Sequence, residues 1–481
     1  MRVLRMTRML RKDRNEETMS NLRCRALEDE YLGILRDLDG DAEGRALAAT
    51  YLASAHPVAN REGTPTWALT PKVLSSAELG ILREAAETFG RILEKVTARF
   101  RSDADLRARF GLPTELEELA LVPTGYDRNV PFARVDVLFD EETGDFTLVG
   151  AATDSSLGMT SSVEVTRAVQ LTEAYRRFAE LHPGIETFDV TGGVIDALRE
   201  TYQSWANADT GTRHPERPAV GIVDYPESAT ASEFADIVER LADEGVFARL
   251  VDIRDLRIEE AGGIYRLVDS QGPIACVYRR VLLSEMVEKP CEGARALVEA
   301  ARRGLACVIG GFGTWPVSTN ALFAVLSSDA MEDVLDHEEL AFVRAHVPET
   351  HALDRTSDLA PYLAEPERWL ARPAGAYRAN EAVAGASCAD RDDWWRILLG
   401  CAEEGGVVQA MGTPCRSSVV LGAPAVGDDG HRAGEAVEVE NILGLFLFRG
   451  EFGGVYARGG YDGAIGPWSN RVTMGCLVAR D

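Results

Sequence analysis

Two arginines flank a short loop in the stretch from residue 367 to residue 409. The pattern there predicts a strand ending in Arg372, a glycine-containing loop with Arg378, then a strand, a helix and a last strand. A cation at a strand end and a second cation in the loop can hold the oxygens of a polyphosphate, together with backbone N–H groups. The alternative is an ordinary surface hairpin with solvated arginines, and this stretch alone does not decide between the two.

A cation and a carboxylate share one face of an earlier predicted strand. Residues 132–139 alternate between apolar and polar types, and the turn at residues 140–144 predicts a hairpin. Arg134 and Asp136 are two residues apart, so both side chains point to the same face of the strand. Such a pair is either an ion pair between strands or the floor of a site for a metal ion and a phosphate.

Hydroxyl side chains follow that hairpin. Ser155 and Ser156 stand beside Asp154 in a loop, and Ser161 with Glu164 predicts a capping box that opens a helix. Hydroxyls and N–H groups at the start of a helix suit an anion, and they equally suit plain capping of the helix. Ser155 and Ser156 are therefore candidate substrate-binding residues.

Further cations stand at the ends of predicted strands. Strands and helices alternate over residues 219–309, which predicts an open parallel sheet, and Arg279 and Arg280 end one of its strands. Ligands of open sheets bind at the carboxyl ends of the strands, so these arginines are candidates for holding a substrate carboxylate. The alternative is a pair on the surface. A glycine-rich turn then leads to Asn320 at a predicted helix start, and Arg458 closes a hairpin near the end of the chain.

The overall charge limits the kind of ligand. The 481 residues carry a net charge of −26, so the chain has no basic face for the phosphates of DNA or RNA, and we expect no nucleic-acid partner. Four of the 51 basic residues are lysines, the last being Lys289. Any cationic site later in the chain must therefore use arginine or histidine.

Cysteine spacing and hydropathy indicate an ordinary reduced protein. None of the eight cysteines forms a Cys-x-x-Cys pair, and the spacings match no zinc or iron–sulfur pattern. We find no run of 18 apolar residues, so we expect no membrane span and a cytoplasmic location. Residues 1–18 form a basic stretch that we expect to be disordered, with Met19 as an alternative start.

The predicted elements divide the chain into five parts. We expect the basic tail to be followed by a helical N-terminal region and then by two halves of one larger fold on either side of a Rossmann-like unit. The boundaries are residues 1–18 for the tail, 19–125 for the helical region, 126–207 for the first half, 208–312 for the Rossmann-like unit, and 313–481 for the second half, with a lid at 366–425.

The order of these motifs resembles that of the circularly permuted ATP-grasp proteins, and the glutathionylspermidine synthase-like ligases are the nearest group. The shared features are the Arg-x-Asp strand, the Rossmann-like unit, the helix headed by Asn320, the strand with a cation before proline, the Val-Val-Gln strand and a final Gly-Gly-x-Tyr-x-Arg hairpin. The resemblance covers roughly residues 125–470. It implies a mixed α+β and α/β structure with a circularly permuted ATP-grasp fold.

The family joins a carboxylate to an amine: ATP phosphorylates the carboxylate, Mg²⁺ bridges the phosphates, and the amine attacks the acyl phosphate. The resemblance implies ATP and Mg²⁺ as cofactors and gives roles to several residues. Arg134 and Arg458 correspond to the catalytic arginines, Arg134 also binding phosphate, while the residues beside the nucleotide are Arg372, Arg378, Gln409 and Asn320. Asp136 corresponds to the first Mg²⁺ carboxylate.

The chain departs from the family pattern at the metal site. The second strand of the early hairpin ends Glu-x-Asn in the family, where both residues are metal ligands, and here these positions are Gly150 and Ala152. The family has a lysine after the Asn at the helix head, and here that position is Ala321. The family also has an acidic residue after the Gln of the strand that flanks the adenine, and here that position is Ala410. We therefore expect Asp136 to share Mg²⁺ with Asp154, Glu438 or Glu440.

Two functions follow from the sequence. The first is an ATP-dependent carboxylate–amine ligase that forms an amide bond, γ-glutamyl or peptide, on a small amino acid or peptide in specialised metabolism. The second is a protein with the same fold that no longer uses Mg-ATP and binds a metabolite or partner, or does other chemistry in the old cleft. Convergence of Asp136, Asp154 and either Glu438 or Glu440 on one point would favour the first function.

Overall fold

The computed structural model describes residues 22–55, 66–155, 158–208, 214–375, 382–423, 432–461 and 471–480. Its helices are α1 (Cys24–Asp37), α2 (Ala42–Ala55), α3 (Ser76–Ser102), α4 (Ala104–Arg109), α5 (Thr114–Ala120), α6 (Met159–Gln170), α7 (Glu173–Leu181), α8 (Val190–Ala208), α9 (Ala231–Asp243), α10 (Leu283–Glu288), α11 (Glu292–Arg302), α12 (Ala321–Leu326), α13 (His337–His346), α14 (Ala360–Ala364) and α15 (Arg391–Glu404).

The strands are β1 (Lys72–Ser75), β2 (Phe132–Phe139), β3 (Phe146–Ala152), β4 (Ile185–Glu186), β5 (Val220–Asp224), β6 (Ala248–Asp252), β7 (Arg257–Ala261), β8 (Ile264–Asp269), β9 (Gly272–Pro273), β10 (Cys276–Arg279), β11 (Cys307–Ile309), β12 (Thr350–Leu353), β13 (Trp369–Pro373), β14 (Val383–Ala384), β15 (Gly406–Ala410), β16 (Arg416–Val420), β17 (Ala436–Phe448), β18 (Glu451–Gly460), β19 (Val472–Met474) and β20 (Cys476–Ala479).

The six-stranded sheet is the centre of the fold. Its order is β19-β18-β17-β2-β3, with β16 also paired to β17. The predicted hairpin of β2 and β3 is present, and so is the hairpin of β17 and β18, which turns at Arg449 and Gly450 with positive φ at both residues. Because side chains alternate along a strand, Val135 and Val137 pack into the core against α3, while Arg134 and Asp136 occupy the opposite face.

The N-terminal region is not purely helical. Ser75 followed three residues later by Glu78 predicts a capping box at a helix start. The structure has this capping box at the start of α3, and the apolar face of this long helix is buried in the main core. Just before it, however, β1 pairs in parallel with β20 at the far end of the chain. The apolar run of β1 is too short to show the alternation that predicts a strand. Its partner β20 lies about four hundred residues later in the chain, so the residues around β1 do not indicate the pairing either.

The alternating middle of the chain forms the predicted parallel sheet. Its order is β11-β10-β5-β6, and every pairing is parallel. The pattern of residues 285–303 predicts a single helix, and the structure has two helices there, α10 and α11, on either side of Pro290. Proline lacks the N–H that a helix interior needs and disfavours helical backbone at Lys289 before it, which explains the break.

A second four-stranded sheet contains the predicted lid. Its order is β12-β15-β13-β14, and the strands around α15 follow the sequence expectation. Trp394 and Leu398 of α15 pack on Trp369 and Val408 of the sheet in a small separate core. The sheet is thus held together by its own apolar cluster, and β13 can present Arg372 at its end.

One local prediction was wrong. Ser161 and Glu164 do not cap a helix: α6 begins at Met159, its N-cap is Gly158 with φ +93, and Glu164 contacts Tyr51 and Arg167 instead. Glycine tolerates this left-handed backbone, so the N-cap lies three residues earlier than the hydroxyl pattern suggested. Across the described residues, we find no helix with the length and apolar character that crossing a membrane requires.

Candidate functional site

Strand register brings the predicted cations and carboxylate together on the open face of the six-stranded sheet. Asp136 of β2 pairs with Gly444 of β17, and Gly444 pairs with Tyr456 of β18. Arg134 lies two residues before Asp136, and Arg458 lies two residues after Tyr456, so all four side chains share one face. We call Arg134, Asp136, Arg458 and Arg372, which reaches the edge of this sheet from β13, the arginine cluster.

Asp136 is bound by two guanidinium groups. Arg134 donates from Nε to Oδ1 over 2.7 Å and from Nη2 to Oδ2 over 3.0 Å, and Arg458 Nη2 lies 2.8 Å from the same Oδ1. Burial alone would raise the pKa of Asp136, but the two arginines outweigh it and lower the pKa to about 2. Two positive charges against one negative charge leave this part of the site cationic.

Aromatic and glycine residues hold these groups in place. Tyr456 lies beneath both guanidiniums, with its ring centre 5.9 Å from Arg134 Cζ and 5.1 Å from Arg458 Cζ, distances at which a cation is attracted to the ring face. A Cβ atom at Gly444 would lie 2.6 Å from Arg134 Cδ and 3.0 Å from Asp136 Oδ1. Glycine at this position therefore leaves the space in which the ion pairs form.

Arg372 supplies a further cation from the lid sheet. Its Nη1 lies 3.3 Å from Asn320 Oδ1 and 3.4 Å from the carbonyl oxygen of Val149, on the edge strand β3. Among the described residues it has no carboxylate partner, and its buried Nε has no hydrogen-bond partner. Burial lowers the pKa of Arg372 to about 10. Gly150, the next residue after Val149, pairs with Asp136, so this lone cation contacts the strand next to the one that carries Asp136.

Gln409 and Asn320, two other residues predicted to lie beside the nucleotide, form hydrogen bonds with neighbouring groups of the chain. Gln409 is buried and donates from Nε2 to Thr350 Oγ1 over 3.1 Å. Asn320 donates from Nδ2 to the carbonyl oxygen of Pro373 over 2.9 Å, which ties the lid strand to the start of α12. Arg378 and Ser156 lie outside the described residues.

Asp154 and Arg279 lie together, away from Asp136. Both side chains are fully buried and form an ion pair, and Asp154 Oδ2 also accepts from the backbone N–H of Leu283 over 2.9 Å. Arg279 donates further to the carbonyl oxygens of Val281 and Gly310. This differs from the expectation of a metal ligand and a substrate-binding cation, because each group is neutralised inside the protein.

Arg280 and the start of α6 share an internal carboxylate. Glu233 Oε1 lies 2.8 Å from Arg280 Nη2, with both side chains buried, and its Oε2 accepts from the backbone N–H groups of Gly158 and Met159 over 3.2 and 3.1 Å. The sequence suggested an anion here, and the anion in the structure is the chain's own. Ser155, partly buried, adopts a positive φ of 68° just before this helix.

The carboxylates expected to share Mg²⁺ do not converge. Glu440 lies four residues along β17 from Gly444, about 14 Å at the usual rise per residue, and forms an ion pair with Arg416. Glu438 is two residues further away. Asp136, the remaining carboxylate, has both oxygens on arginines, and Gly150 and Ala152 offer no ligand atoms. Since Mg²⁺ needs oxygen ligands at about 2.0–2.1 Å in near-octahedral geometry, the residues present do not fit a protein-held Mg²⁺ here.

A different buried group has the composition of a metal site. Ligand atoms of Cys24, Glu28 and Glu141 lie within 4.8 Å of one another. The ammonium group of Lys72 already occupies this position, 3.0 Å from Glu28 Oε1 and in contact with Glu141. A buried cation of the chain thus pairs with both carboxylates.

Sequence reasoning missed three residues of the site. Tyr456 was visible in the Gly-Gly-x-Tyr-x-Arg motif, two residues before Arg458 and therefore on the same strand face. Gly444 and Glu233 gave no signal, because their importance depends on neighbours distant in the chain.

Comparisons with known proteins concern the fold. No protein-family model and no curated protein sequence matches the chain. Among solved structures, the chain is similar to the apo form of a glutathione synthetase-like effector, GSS30, from Globodera pallida. The TM-score is 0.57 at 12% identity, over 90% of this chain and 96% of that chain.

An ATP-grasp ligase, PsnB, complexed with minimal precursor, Mg and ADP, aligns over 53% of this chain and 88% of that chain. The TM-score is 0.22 at 13% identity, which is too low to carry an argument. The circular permutation inferred from motif order stays a prediction. The chain has a mixed α+β fold, as the sequence predicted, and it shares that fold with the glutathione synthetase-like effector.

Proposed function

We propose that this protein is an ATP-dependent ligase that binds the phosphate groups of ATP beside the arginine cluster and joins the carboxylate of a small amino acid or peptide to an amine. The observation that carries the proposal is the pairing of Arg134 and Arg458 with Asp136, together with Arg372 at the edge of the same sheet. In a chain with a net charge of −26, such a local excess of positive charge needs an anionic ligand to explain it.

The state of Arg372 supports an anion in particular. A partly buried guanidinium without a carboxylate destabilises the folded protein, because burial removes water from a charged group. A phosphate oxygen would supply the missing partner, and guanidinium groups bind phosphate through paired, charge-assisted hydrogen bonds. A destabilising charge at this position is therefore consistent with a role of Arg372 in binding an anion.

The same cations suit phosphoryl transfer. In the proposed reaction, a substrate carboxylate oxygen attacks the terminal phosphorus of ATP and ADP leaves. The amine nitrogen then attacks the acyl carbon of the acyl phosphate, and inorganic phosphate leaves with the formation of the amide. Arg134 and Arg458 would neutralise the charge on the transferring group. Arg372, from the lid sheet, would hold the phosphates from the other side and help to exclude water from the acyl phosphate.

A second function has its own support. Asp136 is already neutralised, and Gly150 and Ala152 offer no metal ligands. These features favour a protein of this fold that binds a phosphorylated or carboxylate metabolite and catalyses no ligation. Both functions use the arginine cluster, and they differ in whether ATP is consumed.

A turnover assay separates the two functions. Pairs of amino acids and short peptides are screened with ATP for release of ADP and phosphate, and the melting temperature is measured with and without ATP. We expect ATP to raise the melting temperature and at least one pair to release ADP, with both effects lost in Arg372→Met. Arg368→Met, which removes an exposed arginine just before β13, should behave as the wild type.

The outcomes are distinct. Stabilisation by ATP with no turnover for any pair would favour the second function. The absence of both stabilisation and turnover would overturn the proposal.

A further inference from the structure

We infer that the guanidinium groups of Arg134 and Arg458 stand in for a divalent cation, so that this site binds polyphosphate without Mg²⁺. The inference rests on the proposed binding of phosphate groups at the arginine cluster. It concerns the source of the positive charge: side chains fixed in the protein rather than a bound ion.

The first argument is that both oxygens of Asp136 are engaged by arginines. Its Oδ1 lies 2.7 Å from Arg134 Nε and 2.8 Å from Arg458 Nη2, and its Oδ2 lies 3.0 Å from Arg134 Nη2. These three contacts leave one lone-pair site, on Oδ2, for a hard cation at about 2.0–2.1 Å. A cation bound there would stand beside two guanidinium groups, and repulsion between like charges makes this arrangement unfavourable.

The second argument is that the described residues place no further metal ligands around Asp136. Its neighbours on both adjoining strands are glycines, Gly150 on β3 and Gly444 on β17. Asp154, which follows β3, forms an ion pair with Arg279, and Glu440 forms an ion pair with Arg416. From the part of the chain that the structure describes, a metal ion would have one carboxylate, already neutralised, instead of the set of oxygens that holds Mg²⁺ in proteins.

The third argument is that the guanidiniums are built into position. Arg458 reaches Asp136 across Gly444, where a Cβ atom would crowd both Arg134 and Asp136. The ring of Tyr456 supports both cations from below. Arg134 and Asp136 keep a small part of their surface exposed, 12% and 15% of each side chain. The positive charge is thus preorganised and still accessible to a ligand.

The inference reverses the role of Asp136. In a metal site this carboxylate binds the ion, and its loss abolishes binding of the metal–phosphate complex. In a guanidinium site it orients two arginines while opposing the incoming anion. Replacing its charge with a neutral amide of the same shape removes the repulsion and keeps one hydrogen-bond acceptor for the arginines.

The test is calorimetric titration of the full chain with inorganic tripolyphosphate, first in EDTA and then in excess Mg²⁺. We expect binding in EDTA with a Kd no more than about tenfold weaker than in Mg²⁺. Binding seen only with Mg²⁺, or more than about tenfold tighter with it, would overturn the inference. ATP is titrated in parallel: tripolyphosphate binding without ATP binding would count against the proposed use of ATP, while the inference would stand.

Variants give a second, directional test. Asp136→Asn should bind tripolyphosphate in EDTA at least as tightly as the wild type, and Arg458→Met about tenfold more weakly or worse. Arg416→Met, on the neighbouring strand β16, is the matched control and should not change the Kd. A tenfold or greater loss in Asp136→Asn, with the melting temperature preserved, would contradict a guanidinium site.

An isosteric pair covers the case in which Asp136→Asn fails to fold. Gly150 lies opposite Asp136, and a Cβ atom added there would be 3.4 Å from that of Asp136, which is ordinary contact. Gly150→Glu adds a second carboxylate and should weaken tripolyphosphate binding in EDTA about tenfold relative to Gly150→Gln. Equal binding by these two variants would overturn the inference.

Discussion

Asp154 and Arg279 form an ion pair in which neither side chain is exposed to solvent, and 125 residues of chain separate them. The pair joins the loop after β3 to the carboxyl end of β10, and so fastens the central sheet to the parallel sheet. It also explains why neither residue serves the arginine cluster. Both groups lie in a low-dielectric environment, where the charge of each is balanced by the charge of the other.

We therefore expect Asp154→Ala to lower the free energy of unfolding by roughly 3–5 kcal/mol, because it leaves the buried charge of Arg279 unpaired. Urea denaturation followed by circular dichroism measures the change. The control is Glu186→Ala, which breaks an exposed pair with Arg480 and should cost no more than about 1 kcal/mol. A similar small change in both variants would contradict the importance of the buried pair.

Asp224, at the carboxyl end of β5, gives a second prediction. Burial raises its pKa to about 7, although nearby Arg280 and the backbone N–H of Tyr225 lower it. In the unfolded chain the pKa is about 3.9, so between these values the folded protein binds more protons than the unfolded one. Stability contributed by this group is therefore complete below about pH 4 and is lost as the pH rises towards 7.

We expect Asp224→Asn to remove that part of the pH dependence and to be more stable than the wild type at pH 8. The difference is at most roughly 4 kcal/mol, from about 1.4 kcal/mol for each pKa unit. Urea midpoints at pH 5 and pH 8 for both proteins measure it. Equal slopes against pH in the two proteins would show that the ionisation of Asp224 does not oppose folding.

The sequence allowed prediction of elements whose signals are local. The alternation in β2 placed Arg134 and Asp136 on one face, and the three-to-four spacing after Ser75 gave α3 and its cap. Relationships that depend on distant residues were not predictable in this way. Asp154 appeared beside Ser155 as a possible ligand, and only tertiary packing shows that Arg279 neutralises it.

Glu78 shows how a local signal can understate a role. The capping box predicted one carboxylate oxygen on the backbone N–H of Ser75, and this bond is present at 2.9 Å. Its other oxygen accepts from the N–H groups of Arg23 and Cys24 over 2.5 and 2.7 Å. One buried side chain therefore serves the start of α3 and also the start of α1, which lies more than fifty residues earlier.

We accordingly expect Glu78→Ala to destabilise the protein by more than an ordinary cap, roughly 2–4 kcal/mol instead of about 1 kcal/mol. Asp390→Ala supplies the comparison, since Asp390 caps α15 alone through two backbone N–H groups on its exposed surface. Hydrogen exchange of the amides of α1 should rise in Glu78→Ala. Unchanged exchange there would mean that the contact with α1 contributes little.

Arg372 gives the last prediction, in which stability and binding change in opposite directions. Its charge has no carboxylate partner among the described residues, and burial lowers its pKa to about 10. Methionine fills similar space without a charge to desolvate. We expect Arg372→Met to raise the free energy of unfolding by roughly 1 kcal/mol, as happens when a destabilising functional residue is replaced.

Thermal melting with and without inorganic tripolyphosphate tests both halves of this prediction. The ligand should raise the melting temperature of the wild type in proportion to its binding and leave that of Arg372→Met nearly unchanged. Arg368→Met is the control: Arg368 is exposed, lies just before β13 and is paired with Glu349, so its loss should alter neither value much. A variant Arg372→Met that is less stable than the wild type, or that still responds to the ligand, would assign Arg372 a structural role. The cation would then hold Asn320 and Val149 at the edge of the central sheet and would have no role in binding phosphate.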